Sequence, residues 1–192
     1  MPCRQPRAIL SSSVIGHLPT LWLFTDERND AELEKAIRQL PCGSGIIFRH
    51  YHLPVDERKR RFSEIEKQAR RYGHLLLLAD TPQVARSWRA QGSHARCSQR
   101  SKTLGHLHSA PVHNAREIHK ANRNGAMLFF LSPAFPTRSH PGAKSLNRIQ
   151  VKRLATLCRG PVFLLGGMNR KRFQSYRDRQ IYGWAAISAL SR

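Results

Sequence analysis

The amino-acid sequence lacks several features that would each define a class of protein. No apolar run approaches the roughly 20 residues that a membrane-spanning helix needs. The four cysteines are widely separated and form no Cys-x-x-Cys pair, a spacing that does not support a zinc site or a disulfide scaffold. The N-terminal residues show no clear hydrophobic region with a cleavage site. We therefore expect a cytoplasmic protein without membrane partners, with a basic extension at residues 1–18 and a single domain at 19–192.

Acidic residues are also scarce. The chain has 12 Asp and Glu against 33 Lys and Arg, a formal net charge of +21, and no acidic residue between Asp80 and Glu117. Such a charge attracts anions, including phosphorylated small molecules and nucleic acids. The basic runs, such as Arg58 to Arg61, lie in helix-like stretches without interleaved aromatic residues. We therefore expect solvated helix faces there, and nucleic acid is the less favoured partner.

Short apolar segments alternate with longer amphipathic segments along the chain. Strands are predicted at residues 21–24, 45–48, 75–78, 93–95, 106–112, 127–131, 162–165 and 184–187. Helices are predicted at 30–40, 56–71, 82–90, 114–124, 146–158 and 170–179, with Asp30 and Asn114 as candidate N-caps. This order is typical of α/β proteins with a parallel sheet, and the strand count favours a short, single-domain (β/α)8 TIM barrel. An open flavodoxin-like sheet is the alternative, because the fourth and fifth segments are weakly apolar.

The ends of the predicted strands carry the candidate functional residues, because the carboxyl ends of all strands in a barrel meet at one mouth. Gly166 and Gly167 would let the backbone approach a ligand, since glycine has no Cβ, and the loops after strands seven and eight frequently bind phosphate. The stretch after strand six combines prolines with hydroxyls and cations that suit an anion. The residues at these strand ends are Thr25, Asp26, 49–51, Asp80, Arg96, His113, 132–140, Gly166, Gly167 and Ser188.

Four segments together resemble the thiamine phosphate synthase/TenI family of (β/α)8 barrels. They are residues 21–26 (LWLFTD), 132–140 (SPAFPTRSH), 165–168 (LGGM) and 185–190 (AAISAL). The resemblance follows nearly the whole chain in order, and its central and C-terminal motifs are the more specific ones.

The resemblance implies a transferase. A synthase of this family joins hydroxymethylpyrimidine pyrophosphate to a thiazole phosphate, releases pyrophosphate and forms thiamine phosphate. The resemblance also implies that Arg49 contacts the pyrophosphate, that Asp80 binds Mg²⁺, and that a homodimer is a reasonable expectation. The residues implied to bind the thiazole phosphate are Thr137, Arg138, Ser139, His140, Gly166, Gly167, Ile187 and Ser188. The candidate catalytic residues are Arg49, His113 and His140.

The chain departs from the family pattern in the pyrimidine and metal half of the site. The second metal carboxylate, expected after strand four, falls near Arg96. Arg96, Arg100 or Lys102 could therefore neutralise the pyrophosphate in place of a metal, because guanidinium groups suit phosphate oxygens. The other departures are Ile47 and Tyr51 for a glutamine and a lysine, Ala79 for an asparagine, His140 for a lysine and Pro111 for a serine.

Two alternative functions stay open. His113 follows the fifth predicted strand, where a TenI-type thiazole tautomerase uses a histidine for proton transfer, a task suited to imidazole near neutral pH. The second alternative is a degenerate barrel that binds phosphate compounds without turnover. In that case the phosphate residues would be retained while the metal half is lost.

Overall fold

A closed ring of parallel strands organises the protein. The computed structural model describes residues 18–96, 106–136, 145–176, 180–187 and 190. Its eight strands form a closed barrel in sequence order, so the predicted (β/α)8 fold is confirmed and the open sheet is wrong. The strands are β1 Leu21–Phe24, β2 Gly45–Phe48, β3 Leu75–Leu78, β4 Gly92–His94, β5 Leu107–Val112, β6 Leu128–Leu131, β7 Val162–Leu164 and β8 Ile181–Ala186.

Helices follow the strands on the outside of the barrel. They are α1 Leu33–Gln39, α2 Val55–Arg71, α3 Pro82–Ser87, α4 Ala115–Arg123, α5 Arg148–Leu157 and α6 Arg170–Gln174. Asn114 caps α4 by accepting a hydrogen bond from the Glu117 backbone N–H, as predicted. In the described residues, none of these helices is both long and apolar enough to cross a membrane.

The start of the first helical segment differs from the prediction. A 3-10 helix at Glu27–Glu32 precedes α1, and Asp26 caps it by accepting a hydrogen bond from the Arg28 backbone N–H. Asp30 therefore lies inside this helix, and its prediction as an N-cap is wrong. The reason is that Asp26 and Asn29 form a reciprocal capping box four residues earlier than expected, with Asn29 Oδ1 accepting from the Asp26 N–H at 2.8 Å.

The last strand begins earlier than predicted, at Ile181. Tyr182 and Gly183 interrupt the apolar run in the sequence, yet Gly183 pairs with Phe163 on β7, and Tyr182 lies at a register shift between the paired residues Ile181 and Gly183. Closure of the barrel requires them, because Trp184 donates its backbone N–H to Thr20 O at 2.9 Å and Tyr182 donates its hydroxyl to Leu18 O at 3.2 Å. Leu18 is buried; residues 1–17 lie outside the described part of the chain, so the N-terminal extension stays a prediction.

Alternate residues of the strands point to opposite sides of the barrel wall. Residues such as Leu23, Ile46 and Leu131 pack against the helices. The others form an inner cluster contributed by the strands, with Trp22, Phe130 and Phe163 at its centre. Their rings lie 5.1 to 5.6 Å apart. The barrel interior is therefore a packed aromatic core rather than a channel.

Gly45 on β2 makes room for the largest of these rings. A Cβ at this position would lie 2.2 Å from Cε3 of Trp22, whose side chain is fully buried. The Trp22 ring cannot easily shift to relieve that contact, because Phe130 and Phe163 pack against it in the fully buried interior.

We predict that Gly45→Ala lowers the free energy of unfolding by about 1–3 kcal/mol or more, because the added methyl overpacks the barrel interior. Gly43→Ala is the matched control: no atom lies within 4 Å of its Cβ position, and only its positive φ of 76° opposes substitution, at about 1 kcal/mol. Urea unfolding measures both. Equal destabilisation by the two substitutions would contradict the proposed role of Gly45.

Candidate active site

The carboxyl ends of the eight parallel strands gather the candidate residues at one mouth of the barrel. Thr25 and Asp26 follow β1, Arg49 follows β2, and Asp80 lies two residues beyond β3. His113 follows β5 directly. The prediction that these strand ends share one face is therefore confirmed by the topology of the barrel.

Arg49 is held by the end of β1 through three hydrogen bonds. Its backbone N–H donates to Thr25 Oγ1 at 3.0 Å, its Nε donates to Thr25 O at 2.8 Å, and its Nη2 donates to Asp26 Oδ2 at 2.5 Å. The side chain is still 22% exposed. Burial lowers the pKa of Arg49 from its usual value, but a guanidinium remains charged near neutral pH. The mouth therefore presents a fixed cation at the end of β2.

Asp26 joins two guanidinium groups. Arg28 Nε donates to its Oδ1 at 2.6 Å, while Arg49 occupies Oδ2. Burial alone would raise the pKa of Asp26, but the hydrogen bond from Arg28 and the charge of Arg49 outweigh that effect and lower it. This carboxylate is therefore ionised and leaves the group of three with a net positive charge.

A buried hydrogen-bond chain supports Thr25 from behind. The Thr25 hydroxyl bonds to His50 Nδ1 at 2.8 Å, and His50 Nε2 bonds to Asp30 Oδ1 at 2.8 Å. Because the Asp30 carboxylate can only accept, the His50 ring carries its proton on Nε2, and its Nδ1 accepts the hydrogen of the Thr25 hydroxyl. Burial lowers the pKa of His50, so the neutral ring persists near pH 7. Sequence reasoning missed this chain, because its members lie up to 25 residues apart.

The basic run on α2 does not form a solvated face along its whole length. Lys59 and Arg60 are exposed, as predicted. Arg58 is buried, and Arg61 donates to Asp30 Oδ1 at 2.7 Å and to Glu34 at 2.5 Å. The expectation is therefore wrong for Arg58 and Arg61, because residues three apart on a helix share the face that turns toward the barrel.

Asp80, the expected magnesium ligand, is engaged by protein groups. Its Oδ2 accepts from Arg58 Nη1 at 2.8 Å, and its Oδ1 accepts from the Thr81 backbone N–H at 2.7 Å. Within the described ranges, no group of three His, Cys, Asp or Glu side chains could hold a metal ion. These donors do not fit Mg²⁺, which prefers carboxylate and phosphate oxygens without a competing cation. Of the cations suggested as replacements, Arg96 is exposed, and Arg100 and Lys102 lie outside the described residues.

His94 forms part of the floor of the mouth and was not among the candidates. Its ring lies edge-on to Phe24 and Phe130, at 5.2 Å from each, and its Nδ1 bonds to Ser109 Oγ at 2.9 Å. Burial lowers the pKa of His94 to about 3. A polar residue on the inward-facing side of β4 was the available signal, but the strand was too weakly apolar for its inward side to be identified from sequence.

His113 is oriented by Glu117, one turn into α4. Its Nδ1 lies 2.7 Å from Glu117 Oε2, which also accepts the His113 backbone N–H at 2.9 Å. Burial would raise the pKa of Glu117, but its hydrogen bond with His113 contributes to a net lowering. The ionised carboxylate therefore holds the Nδ1–H tautomer, which leaves Nε2 as a proton acceptor. Glu117 was not predicted as a site residue.

The loops after β6 and β7 touch directly. A Cβ on Gly166 would lie 2.9 Å from Pro133 Cα, and one on Gly167 would lie 2.6 Å from Pro136 O. Both glycines have positive φ, 93° and 59°. Only glycine fits this contact, which brings the chain at residue 136 against the β7 loop. Ile187 follows β8 and is partly buried. Thr137, Arg138, Ser139, His140 and Ser188 lie outside the described residues, so their placement stays a prediction.

The family model described as "Thiamine monophosphate synthase" matches residues 21–190. A thiamine-phosphate synthase of Prochlorococcus marinus is 25% identical over 179 residues, which cover 88% of this chain and 50% of that protein. A thiamine-phosphate synthase of Chlorobium luteolum is 27% identical over 185 residues, covering 92% and 87%. The chain thus spans about half the length of the first relative and most of the second.

Solved structures give the same fold. The thiamine phosphate pyrophosphorylase from Pyrococcus furiosus superimposes with a TM-score of 0.77 at 20% identity, covering 93% of this chain and 90% of the other. The corresponding protein from Bacteroides thetaiotaomicron gives a TM-score of 0.57 at 16% identity, covering 88% and 82%. At these identities the likeness establishes the barrel fold alone.

We predict that acid destabilises the protein well above the pH at which its carboxylates titrate. Burial lowers the pKa of His94 to about 3 and of His108 to about 4, whereas in the unfolded chain both titrate at about 6.5. Below pH 6.5 both histidines bind a proton in the unfolded chain but stay neutral in the folded protein. Stability is therefore complete above pH 6.5 and declines by about 1.4 kcal/mol per pH unit for each histidine toward pH 4.

Thermal unfolding followed between pH 7.5 and 4.5 measures this loss. His94→Gln should reduce the slope of the free energy of unfolding against pH by about half, whatever its effect on absolute stability. A melting temperature that does not change between pH 7 and 5 would contradict the assignment of neutral buried rings.

Proposed function

The chain belongs to the thiamine monophosphate synthase family, and we propose that it joins hydroxymethylpyrimidine pyrophosphate to a thiazole phosphate. In this reaction the bond between the pyrimidine methylene carbon and the pyrophosphate oxygen breaks, and the electron pair leaves with pyrophosphate. The thiazole nitrogen then donates its lone pair to the methylene carbon, which gives thiamine phosphate. The protein has to hold two anions in line and stabilise the charge on the leaving group.

The fixed guanidinium of Arg49 is the observation that carries this proposal. The guanidinium donates two hydrogen bonds, to Thr25 O and Asp26 Oδ2, and the Arg49 backbone N–H donates a third to Thr25 Oγ1. Thr25 is in turn fixed by His50. A cation positioned before the reaction needs no reorganisation when negative charge develops on the leaving pyrophosphate. Arg28, bound to the same carboxylate and 49% exposed in its side chain, adds a second cation at this corner.

The contact between the β6 and β7 loops supports the thiazole phosphate site. Gly167 lies against Pro136, the last residue that the structure describes before the motif at 137–140. We propose that Thr137, Arg138, Ser139 and His140 bind the phosphate from one side, and that Gly166, Gly167, Ile187 and Ser188 bind it from the other.

The floor of the mouth supports a reaction that is shielded from water. Phe24, Phe130 and the neutral ring of His94 are buried and pack edge to face beneath the strand ends. The Arg49 guanidinium lies over the Phe24 ring, with Cζ 5.7 Å from the ring centre, and the packed rings limit the approach of water from below. A cytoplasmic location and a homodimeric state remain predictions from the sequence.

An assay with both substrates tests the proposal, with thiamine phosphate as the measured product. We expect product from the wild-type protein and a loss of about 100-fold in kcat/KM for Arg49→Met, because one positioned charge on the leaving group is removed. Lys59→Met, an exposed position on α2, is the control and should leave kcat/KM unchanged. Circular dichroism verifies that both variants are folded.

No thiamine phosphate from the wild-type protein, with or without Mg²⁺, would reject the synthase. Retention of thiazole phosphate binding in that case would support the barrel that binds without turnover.

His113 and Glu117 favour one second candidate, a proton transfer on a carboxythiazole phosphate. An imidazole whose Nδ1–H is held by a carboxylate, with Nε2 available, is the arrangement of a general base. The phosphate half of the proposed site would serve this reaction as well as the first.

If the tautomerase is correct, isomerisation of a carboxythiazole phosphate should be abolished by His113→Ala and reduced about 10- to 100-fold in kcat by Glu117→Gln. KM for the carboxythiazole phosphate should stay unchanged in Glu117→Gln, because Glu117 orients the His113 ring and is not among the residues proposed to bind the phosphate. Glu64→Gln, on α2 and 60% exposed, is the control. A rise in KM with kcat unchanged in Glu117→Gln would contradict the orienting role of Glu117.

A further inference from the structure

We infer that Asp80 is the permanent counter-ion of Arg58 rather than a magnesium ligand, and that the mouth consequently binds its pyrophosphate substrate without a divalent metal. The inference rests on the proposed function for the identity of the substrate. The resemblance to the family implies Mg²⁺ at Asp80, but in this chain both carboxylate oxygens of Asp80 accept hydrogen bonds from the protein.

Arg58 uses all three of its nitrogens to tie the ends of β2 and β3 together. Nε donates to Arg49 O at 2.7 Å, Nη1 donates to Asp80 Oδ2 at 2.8 Å, and Nη2 donates to Ala79 O at 2.9 Å. Its side chain is only 9% exposed. Arg58 therefore cannot move aside to release Asp80 without breaking the connection between these strand ends.

Aromatic rings enclose the same guanidinium. Its Cζ lies 5.0 Å from the centre of the Tyr51 ring and 5.4 Å from that of Trp88. Tyr51 occupies the position at which the family pattern has a lysine, so an aromatic ring covers Arg58 where a second cation was expected. A guanidinium in this setting is stabilised by the rings but still requires an anion, because a buried charge without a partner is strongly destabilising.

Asp80 is the anion that meets this requirement. Removing it would leave the Arg58 guanidinium hydrogen-bonded to the neutral backbone carbonyls of Arg49 and Ala79, without the anion beside it. A metal ion bound to Asp80 would stand next to a guanidinium and would share a carboxylate whose charge is already balanced. Arg58 therefore opposes a divalent cation in two ways: its charge repels the cation, and its hydrogen bond occupies Asp80 Oδ2.

The charges at this side of the mouth suit an anion that arrives without a metal. Among the described residues at the ends of β1, β2 and β3, the carboxylates of Asp26 and Asp80 face the guanidinium groups of Arg28, Arg49 and Arg58. These two negative and three positive side chains together carry a net charge of +1. Asp26 and Asp80 are 23% and 26% exposed, but both already accept hydrogen bonds from guanidinium groups. Of the three cations, Arg28 and Arg49 are the more exposed, at 49% and 22% against 9% for Arg58, so they are the groups that meet the pyrophosphate.

Pyrophosphate binding by calorimetry tests the metal requirement directly, without turnover. In EDTA we expect wild-type protein to bind inorganic pyrophosphate with a Kd within threefold of that measured with excess Mg²⁺, and Arg49→Met to weaken it at least tenfold. Mn²⁺ binding to the protein alone can be followed by electron paramagnetic resonance. We expect the wild-type protein and Asp80→Asn to bind the same amount of Mn²⁺, because Asp80 is not a metal ligand. Pyrophosphate binding that tightens tenfold or more with Mg²⁺, with the gain lost in Asp80→Asn, would overturn the inference.

Thermal unfolding gives a second, independent measurement. Asp80→Asn and Arg58→Met should each lower Tm by roughly 5 °C or more, and the double variant should recover much of the summed loss, because removing both charges leaves neither unpaired. Glu32→Gln, on the exposed side of the 3-10 helix, is the control. A metal-ligand role predicts instead that Asp80→Asn leaves Tm unchanged or raises it, with additive effects in the double variant.

Failure of the proposed function is distinguishable from failure of this inference. A protein that makes no thiamine phosphate under any condition, yet binds pyrophosphate in EDTA and shows the coupled loss of stability, refutes the reaction and retains the counter-ion. A protein that makes thiamine phosphate only with Mg²⁺ retains the reaction and refutes the metal-free site.

Discussion

Closure of a parallel sheet on itself is the constraint from which the rest of this structure follows. Each of the eight strands pairs with two neighbours, so no strand can reverse without breaking two ladders of hydrogen bonds. Polar residues that would be scattered in an extended chain are therefore collected at one rim. The packed rings of Trp22, Phe130 and Phe163 fill the space beneath that rim, so the site lies over an apolar core.

The balance of charges at the rim determines which ions the site can bind. Guanidinium groups there are fixed by carboxylates, and each pair also links neighbouring strand ends: Arg49 with Asp26 joins β2 to β1, and Arg58 with Asp80 joins α2 to the end of β3. The same interactions thus stabilise the fold and set the electrostatic character of the mouth. We propose that a site built in this way binds anions through preformed contacts and lacks the free carboxylates that a divalent cation would need.

Much of the fold could be predicted from the sequence because buried parallel strands read as short apolar runs, and the runs at 45–48 and 75–78 coincide with β2 and β3. The strand-end rule then located Arg49 and Asp80 correctly. Their partners could not be predicted, because Arg58 and Asp80 lie 22 residues apart and Arg58 stands in a basic run that resembles an exposed face. Local patterns identify which residues reach the rim, whereas the pairing among them depends on the angle at which α2 packs.

Residues 18–20, which precede β1, contact residues 182–184 of β8 where the barrel closes. Trp184 and Thr20 share a backbone hydrogen bond, and Tyr182 reaches the carbonyl of Leu18, so the seam between first and last strands resembles any other seam in the wall. The stability of the barrel therefore does not depend on which two neighbouring strands lack a covalent connection. A permuted gene that joins these segments and opens the chain at a surface turn, such as the exposed residues 41–43 between α1 and β2, would encode the same barrel.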